Sequence, residues 1–108
     1  MSSQRPQLNL NQQLVIVTGA SRGLGAAIAQ AFLREGAKVV INYLNSAERA
    51  EGLAASAPDR ALAVQADVRD PAAVAAMVAR ASQHFGQPVH TIVNNALPAF
   101  QFNGDARP

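Results

Sequence analysis

Residues 14–25 read L-V-I-V-T-G-A-S-R-G-L-G, and this stretch constrains the fold more than any other. A short β-branched apolar run enters a turn with three glycines, and the turn opens an alanine-rich helical pattern. Strand, glycine turn and helix in that order are what a dinucleotide pyrophosphate site requires. Glycines let backbone N–H groups approach the phosphates, and the helix N-terminus adds a partial positive charge. The spacing is G-x-x-x-G-x-G (Gly19, Gly23, Gly25), not the more familiar G-x-G-x-x-G. The competing reading is an ordinary tight strand–helix connection. The flanking run Val15-Ile16-Val17-Thr18 and the clean helical pattern that follows favour the nucleotide turn.

The rest of the chain repeats the alternation. The first strand is expected over Leu14–Thr18, apolar enough for a central parallel strand covered on both faces. The first helix is expected from about Gly23 to Glu35, with Leu24, Ile28, Ala31 and Phe32 facing the sheet and Gly36 closing it. Lys38–Tyr43 reads as the second strand. Ser46 is the expected N-cap of a second helix over about Ala47–Ala57. Ala61–Ala66 reads as the third strand. Asp70 caps a third helix with Pro71 at its first position, where the missing N–H is harmless. Val74, Met77, Val78, Ala81 and Phe85 line one face of that helix, and Gly86 stops it. Val89–Val93 is the expected fourth strand. Residues 1–12 read as a flexible tail and residues 97–108 as an irregular segment, leaving 13–96 as the ordered unit.

A β-α-β-α-β-α-β order with right-handed crossovers gives an open parallel sheet with helices on both faces. A spatial order 3-2-1-4 puts the switch point between the first and fourth strands, and ligands bind there, beyond the carboxyl ends of the strands. The glycine turn, Asp67-Val68 and Asn94-Asn95-Ala96 all fall at those ends.

Several function classes are disfavoured. The chain has 108 residues, is 49% apolar, carries a formal net charge of +2 and contains no cysteine. That leaves no disulfide framework and no thiolate metal site. Lys and Arg are scattered, without a nucleic-acid stripe or an aromatic stacking platform. No apolar run is long enough to span a membrane, and the first residues lack the apolar region of a secretory signal. A cytoplasmic protein is the expectation. His84 and His90 have no second ligand at metal-site spacing. Met77 and Phe85 read as core, and Glu48, Arg49 and Glu51 as a solvated helix face. Phe100 and Phe102 fit either a substrate-pocket wall or an exposed tail.

Taken together, Thr18-Gly19-Ala20-Ser21-Arg22-Gly23-Leu24-Gly25, Asp67-Val68 and Asn94-Asn95-Ala96 resemble the short-chain dehydrogenase/reductase family, closest in flavour to its 3-oxoacyl-[acyl-carrier-protein] reductase branch. The resemblance covers about Gln13–Ala96. It implies the N-terminal part of a Rossmann-type doubly wound α/β fold, with four strands and three helices. It also implies roles. Gly19, Ser21, Gly23, Leu24 and Gly25 would surround the pyrophosphate and its ribose. Asp67 would accept the adenine amino group, and Val68 would add a backbone contact. Asn95 and Ala96 would sit beside the ribose and hold the sheet edge, and Thr18 would tie the turn to Asn94-Asn95. Leu97 stands where the family usually has glycine. It would narrow the nicotinamide side of the cleft or push the following loop outward. The family's catalytic serine, its Tyr-x-x-x-Lys pair and a supporting asparagine lie beyond the fourth strand. Tyr43, the only tyrosine here, has no lysine four residues on. No catalytic residue is assigned.

The cofactor choice follows from charge. An NAD site places Asp or Glu near the end of the second strand, about 20 residues past the glycines. Here that region reads Asn42-Tyr43-Leu44-Asn45-Ser46, without an acid. Arg22 lies in the glycine turn, where a guanidinium suits a 2′-phosphate, and Asn45 and Ser46 could add hydrogen bonds. NADP(H) is the expected cofactor. The bland reading of Arg22 is a solvated turn residue.

Two readings of the whole result. In the first, the chain is the cofactor-binding half of an NADPH-dependent enzyme reducing a ketone or 3-oxoacyl thioester, with a homo-oligomeric parent, and these residues alone are inactive. In the second, it is a dinucleotide-binding module without chemistry, alone or in a complex.

Overall fold

A computed structural model describes residues 9–95. Four strands and three helices alternate: β1 (Leu14–Val17), α1 (Gly23–Arg34), β2 (Lys38–Tyr43), α2 (Ala47–Ala55), β3 (Ala61–Gln65), α3 (Pro71–Phe85) and β4 (Thr91–Val93). A single 3₁₀ turn, Leu10–Gln12, precedes them. This turn falls within the tail expected to residue 12, and the Gln87 side-chain amide donates to the Gln12 carbonyl at 3.0 Å.

The strands form one parallel sheet in the order β3-β2-β1-β4. β1 pairs with β2 through Leu14↔Lys38 to Val17↔Ile41, and with β4 through Val15↔Thr91 to Val17↔Val93. This is the Rossmann-type order, with its switch point between β1 and β4.

Successive strand side chains point to opposite faces, and both faces are covered. Val15, Val17, Val39 and Ile41 pack with Ala29 and Leu33 of α1 and Ala50 of α2. Leu14, Ile16, Val40 and Val64 pack with Met77 and Ala81 of α3 on the other face. Every residue of β1 is fully buried, which accounts for its continuous apolar run. Burying a Leu or Ile this way contributes about 1.5–3 kcal/mol. β4 is an edge strand among the described residues, and Ile92 is 48% exposed.

The face of α1 differs from expectation. Leu24 is 69% exposed and Ala31 is also exposed. The buried stripe is Gly25, Ala29 and Leu33, flanked by half-buried Ile28 and Phe32. The stripe is displaced because the helix begins in close contact with the glycine turn, a position only Gly25 can occupy. β4 starts two residues later than expected, at Thr91. His90 lies before it, joined to Leu14 by His90 N–H to the Leu14 carbonyl (2.9 Å) and Leu14 N–H to His90 Nδ1 (3.0 Å).

The two expected caps also behave differently. Asp70 accepts the Ala72 N–H at 3.0 Å, and Pro71 follows it. Ser46 occupies the N-cap position of α2 without any side-chain cap hydrogen bond. Asp70→Ala is therefore expected to destabilise the fold by about 0.5–2 kcal/mol, while Ser46→Ala changes stability by only a few tenths. Urea unfolding of both variants checks this, and equal losses would contradict it.

Candidate functional site

The site is assembled where β1, β2, β3 and β4 end. β1 runs into Thr18, whose N–H donates to the Val93 carbonyl at 3.0 Å. The Thr18 hydroxyl lies 3.3 Å from the same carbonyl and 3.4 Å from Asn94 Oδ1. Asn95 Nδ2 donates to the Gly19 carbonyl at 3.2 Å. Thr18 and Asn95 thus fasten the glycine turn to the end of β4. Ala96 lies outside the described residues, as do Leu97, Phe100 and Phe102.

Gly25 sits under this junction. A Cβ there would collide with the Gly19 carbonyl and would come within 2.6 Å of Asn95 Nδ2. The absent side chain is what lets α1 pack against the turn. Gly23 is different. It has φ +62° with nothing within 4 Å of its Cβ position, so its backbone faces open space in a conformation other residues rarely adopt.

The hydrogen bonds of the turn separate amides used inside the protein from those left open. Thr18 N–H is taken by Val93, Gly19 N–H by Asn42 Oδ1 (3.2 Å), and Ala20 N–H by the Asn42 carbonyl (2.8 Å). The first bond into α1 is Ala26 N–H to the Arg22 carbonyl, 3.3 Å. Among the described residues, the amides of Ser21, Arg22, Gly23, Leu24 and Gly25 have no acceptor. Arg22 is the N-cap of α1 and gives it no side-chain cap. A helix N-terminus left open in this way can receive an anion.

Around this opening, Arg22 is exposed, and no carboxylate lies within ion-pair distance of it among the described residues. At the end of β2, Tyr43 packs half-buried on the α1 side of the sheet. Asn45 is exposed and Ser46 half-buried, neither side chain being held by a hydrogen bond among the described residues. β2 therefore ends without an acid, and a free guanidinium stands in the turn.

Asp67 and Val68 follow β3, both half-buried. The sequence reading missed the partner of Asp67. Arg69 donates to Asp67 Oδ1 from its backbone N–H (2.9 Å) and Nε (3.0 Å), and to Oδ2 from Nη2 (2.8 Å). The Arg69 guanidinium, then its backbone N–H, holds the Asp67 carboxyl down at about 2. The same pairing raises Arg69. Three donors occupy three of the carboxylate's roughly four lone-pair sites, so an acceptor position remains on Oδ2. A D-x-R spacing could have signalled the pair.

A cavity of about 400 Å³ opens beyond Asp67 between β3 and α3, lined by Asp67, Asp70, Met77 and Arg80 among others. No residue of the glycine turn borders it, so it is separate from the α1 opening. Among the described residues there is no cluster of three His, Asp or Glu able to hold a metal, and no helix is long and apolar enough to cross a membrane. His84 stands in the last turn of α3, edge-on to Phe85 at 4.6 Å.

The lowered Asp67 pKa fixes a sign. Any stabilisation from its ionised form is complete above the ordinary value of 3.8 and is lost as pH falls through about 2. A carboxyl NMR titration is expected to place Asp67 near 2, with Arg69→Ala returning it toward 3.8. An ordinary midpoint in the parent protein would contradict the pairing.

Comparison with known proteins agrees with this geometry. The family described as short chain dehydrogenase matches residues 13–101. Versicolorin reductase stcU of Emericella nidulans is 42% identical over 102 residues, covering 92% of this chain and 39% of that protein. A chloroplastic NADPH-dependent aldehyde reductase-like protein of Arabidopsis thaliana is 40% identical over 107 residues, covering 88% and 40%. Among solved structures, a blue fluorescent protein from a metagenomic library in complex with NADPH superposes with a TM-score of 0.75 at 40% identity, over 82% of this chain and 38% of that one. A short chain dehydrogenase from Burkholderia cenocepacia in complex with NADP gives 0.73 at 43% identity, over 81% and 36%. The chain spans about two fifths of the length of these curated relatives. With the family matched over most of its residues and the sheet order and glycine turn in place, the chain belongs to the short-chain dehydrogenase family.

Proposed function

We propose that this chain is the cofactor-binding part of an NADPH-dependent oxidoreductase that reduces a carbonyl, in a ketone or a 3-oxoacyl thioester, to an alcohol. The observation that carries the cofactor choice is the Arg22 guanidinium in the glycine turn, without an ion-pair partner among the described residues, set against a second strand that ends without an acid. A carboxylate at the end of β2 would accept the ribose 2′-OH and repel a 2′-phosphate. A guanidinium does the reverse.

The residues present fit such a group. The free amides of Ser21–Gly25 suit the pyrophosphate, and the open space over Gly23 lets it approach. Arg22, with Asn45 and Ser46, would take the 2′-phosphate. Asp67 would take the adenine amino group on the acceptor position Arg69 leaves free, beside the Val68 backbone. Asn95 would support the ribose while holding the turn, with Ala96 beside it. When bound, the nicotinamide supplies the hydride, and this part of the protein binds and orients it. The proton donor belongs to the remainder of the parent enzyme, which we read as a cytoplasmic homo-oligomer acting on a small-molecule or acyl-thioester substrate. The names of the relatives support reduction with NADPH, and those of the structural neighbours support NADP(H) binding.

Arg22→Ala is expected to weaken NADPH binding about 10- to 100-fold, the size of a charge-assisted hydrogen bond, and NADH binding by less than about threefold. Equilibrium titration with both nucleotides checks this, and equal losses would remove the argument for NADPH. Gly23→Val is expected to abolish binding of either nucleotide while the sheet still folds, because the new side chain fills the approach to the amides. Its positive φ adds about 1–3 kcal/mol of strain. Unchanged affinity would place the phosphates elsewhere.

A further inference from the structure

One buried polar residue has figured in the site so far only as an acceptor for two amides of the turn. Asn42 stands in β2 after three apolar residues, Val39, Val40 and Ile41, and is 2% exposed. Its Oδ1 accepts the Gly19 N–H at 3.2 Å. Its Nδ2 donates to two carbonyls of the neighbouring strand and its exit, Val64 at 3.3 Å and Ala66 at 3.2 Å. Its backbone carbonyl accepts the Ala20 N–H at 2.8 Å. The carboxamide can face only one way, since a flip would set its oxygen against two carbonyls and its amide against an N–H.

Packing alone does not call for a polar residue here. A β-branched side chain like those of Val39, Val40 and Ile41 suits a buried central strand and needs no partners. What the carboxamide adds is a hydrogen-bonded connection between two loops. Gly19 opens the phosphate turn, and Ala66 immediately precedes Asp67.

We propose that Asn42 is a positioning residue for the dinucleotide. Its carboxamide locks the glycine turn to the exit of β3, presenting the free amides of Ser21–Gly25 and the carboxylate of Asp67 at one fixed spacing. The proposal rests on the cofactor reading given above. Asn42 itself touches no ligand. By committing Gly19 and Ala20 inside the protein, it also leaves the pyrophosphate to the amides that follow them.

Asn42→Asp tests this in the full chain, because it keeps an acceptor for Gly19 and removes both donors to β3. Folding is checked by circular dichroism and thermal unfolding, and affinity is measured on the folded protein. NADP⁺, which spans both loops, is expected to lose about 10- to 100-fold in affinity. Adenosine, which carries no phosphate for the glycine turn and meets only the Asp67 side, is expected to lose less than about threefold. Equal losses for the two ligands, or none for either, would overturn the proposal by leaving Asn42 a purely structural group. If the variant fails to fold, amide hydrogen exchange of the parent chain decides. The Gly19 amide is expected to be protected without ligand and unchanged by saturating NADP⁺, while the amides of residues 21–25 gain protection. A Gly19 amide that exchanges freely and slows only with NADP⁺ would overturn the proposal. A parent chain that binds neither ligand overturns the cofactor reading and this proposal with it; loss confined to the comparisons above leaves the cofactor reading standing.

Discussion

Among the described residues, helix α1 starts with no acceptor on its first amides, and the functional reading of this fold depends on that. α3 begins with an aspartate cap and a proline. α1 begins at Arg22, whose side chain caps nothing. Leaving a cap out of a helix costs about 1 kcal/mol, and the helix dipole concentrates partial positive charge at the same place. An anion bound there would recover both. The turn keeps those amides free because every earlier one is already used, by Val93 and by the two oxygens of Asn42. Among the described residues, the amides left without an acceptor are confined to residues 21–25 by the hydrogen bonds of the earlier ones, not by the glycines alone.

The opening stays in place because β1 is buried on both faces and pinned on both edges. Val15 and Val17 pack toward α1, Leu14 and Ile16 toward α3, and β2 and β4 flank the strand. Gly25 then allows the start of α1 to rest against Gly19 and Asn95. The glycine turn is therefore clamped by the sheet beneath it, by β4 through Thr18 and Asn95, and by β2 through Asn42. Asp67, one strand further out, is oriented by Arg69 and stays ionised over the whole physiological range.

What could be read from the sequence was what is decided locally. The bounds of β2 and α3 follow from neighbours along the chain: Gly36-Ala37 before β2, and Asp70, Pro71 and Gly86 around α3. The sheet order followed from the alternation of elements and the handedness of crossovers. The face of α1 was harder, because alanines surround that helix and weaken its amphipathic signal. A small buried residue, Gly25, set the contact in place of the large residue beside it, Leu24. Apart from the tie of Thr18 to Asn94, which the family resemblance implied, the tertiary pairings were not legible. Asn42 is one polar letter in an apolar strand, and its three side-chain hydrogen bonds reach residues more than 20 positions away. The His90 bond to Leu14 spans 76 positions, and nothing at position 90 announces it.

The most direct test is a crystal structure of the protein grown with NADPH. The account expects the pyrophosphate against the amides of residues 21–25, the 2′-phosphate on Arg22 and the adenine amino group on Asp67 Oδ2, with Gly19 N–H still on Asn42. A nucleotide seated instead in the cavity between β3 and α3, beside Asp70 and Arg80, would contradict it, as would a pyrophosphate held by the Gly19 amide with Asn42 turned away.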